Sequence, residues 1–95
     1  MEPENALIFS FNNNGEFLDY EIVGNMTLYT NPENFLGKHI KDVLPESVAS
    51  VTISAINKCF ETGQDQEYEY ELGGQMWHAK MKKDNNEAIA TITSV

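Results

Sequence analysis

The sequence has no arginine, one cysteine, one tryptophan and three prolines, and the shortages narrow what the chain can be. Its 6 basic residues are all lysine and stand against 15 acidic ones, a formal net charge of -9 at pH 7. That balance repels phosphate backbones and anionic lipid, which argues against nucleic acid and direct membrane contact as partners. A lone cysteine cannot close an internal disulfide, no apolar run reaches about 18 residues, and Met1-Glu2-Pro3-Glu4 is unlike a basic signal segment. A reduced, cytoplasmic setting is expected, with membrane anchoring of a parent protein left open.

Reaction chemistry is equally short of material. No nucleophile stands with a base, no apolar stretch carries paired carboxylates, and there is neither a phosphate-binding loop nor a Cys or His pair at metal-ligand spacing. The chain is read as non-enzymatic and without a metal site.

What is present is organised around one stretch. Pro45 and Glu46 open it and Gly63 closes it, which brackets a helix of about seventeen residues. At about 100° per residue, Val48, Val51, Thr52, Ala55, Ile56, Cys59 and Phe60 fall on one apolar arc. Ser47, Ser50, Ser54, Asn57, Lys58 and Glu61 fall opposite. The flanking segments read as short strands, so the apolar arc is expected to lie on a sheet.

Met1 to Asn5 reads as a polar tail, and residues 6–95 as one small domain. Ala6 to Phe11 and Phe17 to Ile22 form a first hairpin about Asn12-Asn13-Asn14-Gly15. A two-residue Asn14-Gly15 turn would pair Phe11 with Leu18, Phe9 with Tyr20 and Leu7 with Ile22 on the inner face. Ile8, Ser10, Phe17, Asp19 and Glu21 would then face outward. Val23 to Leu36 has no period, but its Met26, Leu28, Tyr29, Phe35 and Leu36 suit short helical turns folded over the core, one starting at Asn31-Pro32-Glu33.

Glu67 to Leu72 alternates with period two, and Gly73-Gly74 is a two-residue turn signal. Pairing outward from that turn sets Tyr70 opposite Trp77 and Tyr68 opposite Ala79 inside, with Glu69 opposite His78 and Glu67 opposite Lys80 outside. Ala88 to Val95 is a last strand, and the chain stops in mid-pattern, as a piece cut from something longer would. The layout is α+β: an antiparallel sheet with one long helix and short helices on one face.

At this point the residues resemble a known family. The turn before Glu16-Phe17-Leu18, the run Phe35-Leu36-Gly37-Lys38 into Asp42-Val43-Leu44-Pro45, the Glu61-Thr62-Gly63 close of the helix, and the Tyr68 to Leu72 and Trp77-His78-Ala79 strands are similar, in that order, to the PAS sensory domains of prokaryotic sensor histidine kinases and diguanylate cyclases. The resemblance implies a five-stranded sheet of order 2-1-5-4-3 and a sensing or dimerising role ahead of a C-terminal output domain.

Within that frame the candidate pocket lies between long helix and sheet, bounded by Met26, Leu28, Tyr29, Phe35, Val51, Ala55, Cys59, Tyr68, Tyr70, Trp77 and Ala79. Few of these carry charge, so a small, mostly apolar molecule is expected. Plain core is the competing reading of the same aromatics. Cys59 on the apolar arc reads as a small hydrophobe, and His39 and His78 as solvated or charge-paired.

No cofactor is named. Haem is disfavoured because haem-binding members place a histidine on the long helix, and Pro45 to Thr62 has none. Flavin is disfavoured because Gly24-Asn25-Met26, though similar to the Gly-x-Asn-Cys of flavin photoreceptor members, lacks the cysteine. The alternative function is ligand-free dimerisation and relay, through an outer sheet face formed by Ile8, Phe17, Ile89, Thr91 and Val95.

Overall fold

Gly73 and Gly74 adopt φ 65 and 78, the left-handed pair that a two-residue hairpin turn demands and that glycine takes without a Cβ clash. The turn joins β3 (Gln66–Leu72) to β4 (Gln75–Asp84) in the expected register: Leu72 opposite Gln75, Tyr70 opposite Trp77, Tyr68 opposite Ala79, Glu69 opposite His78 and Glu67 opposite Lys80. A second tight turn, with Asn85 at φ 56, returns β4 into β5 (Glu87–Ser94). The computed structural model describes residues 5–26, 28 and 31–95. Residues 1–4 of the expected tail and the pocket candidate Tyr29 lie outside them.

β1 (Ala6–Phe11) pairs with β2 (Phe17–Val23) on one side and with β5 on the other, giving an antiparallel sheet of order β2-β1-β5-β4-β3. One face is covered by a 3₁₀ turn (Pro32–Asn34), a short helix α1 (Ile40–Val43) and the long helix α2 (Glu46–Thr62). Asn31 is the N-cap residue of the 3₁₀ turn, as its Asn-Pro-Glu signal suggested. Pro45 is the N-cap of α2, and Gly63, at φ 72, ends it by sending its N–H to the Cys59 carbonyl.

The buried arc of α2 is rotated from the expected one. Val48, Ala49, Thr52, Ala55, Ile56 and Cys59 are buried, whereas Val51 is 39% exposed. α1 packs on α2, so the helix has a second neighbour besides the sheet, and Ala49 joins its buried side. An arc drawn for a sheet alone leaves that second neighbour out. Thr52 tolerates burial because its hydroxyl donates to the Val48 carbonyl at 2.8 Å, one turn back.

The first hairpin departs from the two-residue turn. Asn12 Oδ1 accepts the N–H groups of Asn14 (3.0 Å) and Glu16 (2.9 Å), and Asn12 Nδ2 donates to Glu16 Oε1 at 2.8 Å. With Gly15 at φ 84, the loop takes three residues, and Phe11 pairs with Phe17 instead of Leu18. A bulge between Ser10 and Phe11 then restores the pairs Phe9 with Tyr20 and Leu7 with Ile22. Phe17 consequently points into the core, 4% exposed, and Leu18 is the residue left 45% exposed. Phe17 is therefore not part of an outer-face patch.

Phe17 centres an aromatic cluster. Its ring lies 5.7 Å from Phe9, 4.8 Å from Phe11 and 5.0 Å from Phe35, and Tyr20 meets Phe35 edge-on at 5.6 Å. Its backbone is tied as well, to Lys38 O at 3.0 Å and to Gly37 N at 2.9 Å. That strap brings His39 beside Gly15, and the imidazole Nδ1 accepts the Lys41 N–H at 3.1 Å, capping α1. His39 thus has a structural role that reading it as a solvated side chain missed.

Candidate functional site

A cavity of about 200 Å³ lies under the N-terminal half of α2. Val48 and Thr52 of α2 and Leu44 before it form the roof. The floor is the inner sheet face: Leu7, Phe9 and Phe11 of β1, Phe17 of β2, Ala90 and Ile92 of β5, Trp77 of β4, and Tyr68, Tyr70 and Leu72 of β3. Gly73 and Gln75 complete the wall and are exposed, which places the mouth at the β3–β4 turn. Among the described residues, no side chain of the wall is charged.

The floor is roomy for a physical reason. Period-two alternation turns Ala88, Ala90 and Ile92 inward on the central strand β5, and Ala90 sits between Phe9 of β1 and Met81 of β4. A methyl between larger neighbours leaves space that the roof residues do not fill.

The C-terminal half of α2 is sealed instead. Ala55, Ile56, Cys59, Ala79 and Met81 are buried in continuous contact there. The Cys59 thiol lies 3.4 Å from Gln64 O and 3.7 Å from Met81 O. Burial pushes it above the ordinary thiol value, the Asp65 carboxylate adds to the rise and Lys83 opposes it, so it remains a protonated thiol.

Of the residues picked from the sequence, Tyr68, Tyr70 and Trp77 line the cavity. Phe35 belongs to the aromatic cluster beside it, and Met26 and Leu28 pack against the core without reaching the wall. Ala55, Cys59 and Ala79 lie in the sealed half, and Val51 faces outward. The first hairpin supplies four wall residues that sequence reasoning had assigned to core or surface. Their alternation, together with the run of small residues on β5, was the available signal.

The polar groups of the wall form a short chain. Thr52 uses its hydrogen on Val48 O, so Tyr68 donates to Thr52 Oγ1 at 3.1 Å and keeps its own oxygen lone pairs. Trp77 Nε1 donates to Leu72 O at 3.1 Å, inside the hairpin. The Tyr70 ring lies 6.0 Å from that of Tyr68. Both phenols are held above the ordinary tyrosine value, chiefly by burial; Tyr68 adds to the rise at Tyr70, while the hydrogen bond to Thr52 offsets part of it at Tyr68.

No protein-family model matches the chain, and no curated protein matches it by sequence. Solved structures do. The RpfR quorum-sensing receptor PAS domain of Cronobacter turicensis, determined in complex with BDSF, superposes with a TM-score of 0.76 at 13% identity, over 100% of this chain and 97% of that one. The PAS domain of histidine kinase ThkA gives 0.70 at 21% identity, over 95% and 99%. The chain has the PAS fold. A domain of an HTR-like protein from Haloarcula marismortui also matches, with a TM-score of 0.74 at 18% identity over 95% and 97% of the two chains. The sheet order and single long helix of this chain are thus the PAS arrangement, and its cavity lies between that helix and the sheet.

Proposed function

We propose that this PAS module senses a small, mostly apolar molecule in the cavity beneath α2 and relays its presence to a C-terminal output domain of a longer cytoplasmic signalling protein, of the histidine kinase or diguanylate cyclase kind. The observation that carries the reading is the uncharged wall around about 200 Å³. Tyrosine and tryptophan there turn apolar faces inward while most of their polar atoms are already bonded within the protein, the makeup of a ligand pocket. The RpfR PAS domain, solved with BDSF and with C12:0, lends support by fold. The domain itself is assigned no catalytic role.

A ligand that binds only the folded state stabilises it by RT ln(1 + [L]/Kd), about 2.7 kcal/mol at roughly 100 times Kd. A thermal-shift screen of small apolar and aromatic compounds should therefore give hits that native mass spectrometry confirms as one bound molecule per chain. A screen without hits would leave ligand-free relay as the function.

A specific observation favours that second reading as a complement. On the uncovered sheet face, Ile8, Ile89 and Thr91 sit together on the central strands, with Ile8 opposite Thr91 and Ile89 opposite Ser10. Val95 is 72% exposed at the end of the same face. Asp19 and Glu21 of β2 flank this strip on one side, and Lys80 and Lys82 of β4 on the other. A two-fold related copy would set the lysines of each protomer against the acids of its partner. Sedimentation of the wild type at high concentration should show a dimer, and Ile89→Lys should shift it to monomer. A wild type that stays monomeric would remove the homodimer reading.

A further inference from the structure

We propose that the Tyr70 hydroxyl is the polar anchor of the cavity, and that the molecule it receives is uncharged: an apolar body the size of one substituted ring, carrying a carbonyl or similar neutral acceptor. The inference deepens the ligand-sensing function and rests on it. It comes from a census of hydrogens along the wall. The Thr52 hydrogen goes to Val48 O, the Tyr68 hydrogen to Thr52, and the Trp77 N–H to Leu72 O. Among the side-chain donors of the described wall residues, those left without a protein acceptor are the hydroxyl of Tyr70, whose side chain lines the cavity floor, and the amide of Gln75, at the exposed mouth where water reaches it. Among the described residues no side-chain oxygen or nitrogen is both fully buried and unpaired, so the Tyr70 oxygen keeps an accessible side, where a ligand carbonyl can take the place of water as its acceptor.

Charge decides between a neutral acceptor and a carboxylate. The described residues of the wall include no lysine and no histidine, so an entering carboxylate would shed its water without a counter-charge. The protein's own groups report the same environment: burial raises the Tyr70 phenol, which disfavours a negative charge at that position. Size follows from volume, since a dry apolar cavity of about 150 Å³ holds benzene, and this one is somewhat larger at about 200 Å³.

Three probes of near-equal shape separate the possibilities: acetophenone, a neutral acceptor; benzoate, an anion; and ethylbenzene, which has no acceptor. Titrated into the chain at pH 7 and followed by NMR or calorimetry, acetophenone should bind at least about tenfold tighter than benzoate. Tyr70→Phe, which keeps the ring, should weaken acetophenone about tenfold, the loss of one hydrogen bond, and leave ethylbenzene unchanged. Benzoate binding as well as acetophenone, or acetophenone indifferent to Tyr70→Phe, overturns the anchor while the pocket stands. If neither acetophenone nor ethylbenzene binds, the ligand-sensing function itself fails, and the anchor falls with it.

Discussion

Phe17→Ala should lower the unfolding free energy by about 3–5 kcal/mol, enough to leave much of the population unfolded, since a domain of this size starts near the low end of the usual range. The ring is buried among Phe9, Phe11 and Phe35, with centroids 4.8 to 5.7 Å away. Truncation forfeits both the transfer free energy of the ring and the contacts around the hole it leaves, and the tilted and edge-on pairs add roughly 0.5–1.5 kcal/mol each. Its neighbour Leu18 is the control. Exposed at the bulge, Leu18→Ala should cost less than about 1 kcal/mol. Urea denaturation of the two variants, read by tryptophan fluorescence, measures the gap directly. A larger loss for Leu18→Ala than for Phe17→Ala would mean that the strand faces as a two-residue turn would set it, with Phe17 on the outside.

That pair of residues also marks where the sequence is legible and where it is not. In the Gly73–Gly74 hairpin every local signal agrees: two glycines at positive φ, strict alternation of glutamate and tyrosine, and a lysine and a histidine set opposite two of the acids. The register there can be counted off from the turn. At the first hairpin the deciding contact is made by a side chain, because Asn12 accepts two backbone N–H groups and so selects a three-residue loop. A pattern of apolar and polar letters does not encode that choice, and a single added residue inverts which of Phe17 and Leu18 is buried. The rotation of α2 has a similar origin. Its bounds follow from Pro45 and Gly63, which act locally, but its buried side includes Ala49 and the helix has α1 as well as the sheet for a neighbour.

The cavity is harder still to read, because a void is what many side chains together fail to fill. Tyr68, Tyr70 and Trp77 were visible as inward aromatics on a register that could be counted. Which end of α2 stands over empty space was not. Ala90, Val48 and Thr52 all border the cavity, while Ala55, Cys59, Ala79 and Met81 are buried in the packed core.

Ala90→Leu tests that arrangement and the ligand function together. Ala88 and Ala90 lie on the same strand and the same inner face, both with almost no exposure, yet only Ala90 lines the cavity. Three added carbons at Ala90 have a void to enter, and each buried methylene contributes about 0.8 kcal/mol, so the variant should match or exceed the wild type in stability. The same carbons at Ala88 meet a filled core, and Ala88→Leu should cost about 1–3 kcal/mol through strained rotamers and displaced backbone. The functional consequence is larger. With its floor raised, the Ala90→Leu cavity should no longer admit a one-ring ligand, and the stabilisation of about 2.7 kcal/mol expected at roughly 100 times Kd should vanish. Thermal melts of the wild type and both variants, with and without acetophenone, give the six values needed. Were Ala90→Leu to melt lower than wild type and still respond fully to the ligand, the space beneath α2 would be neither empty nor the binding site.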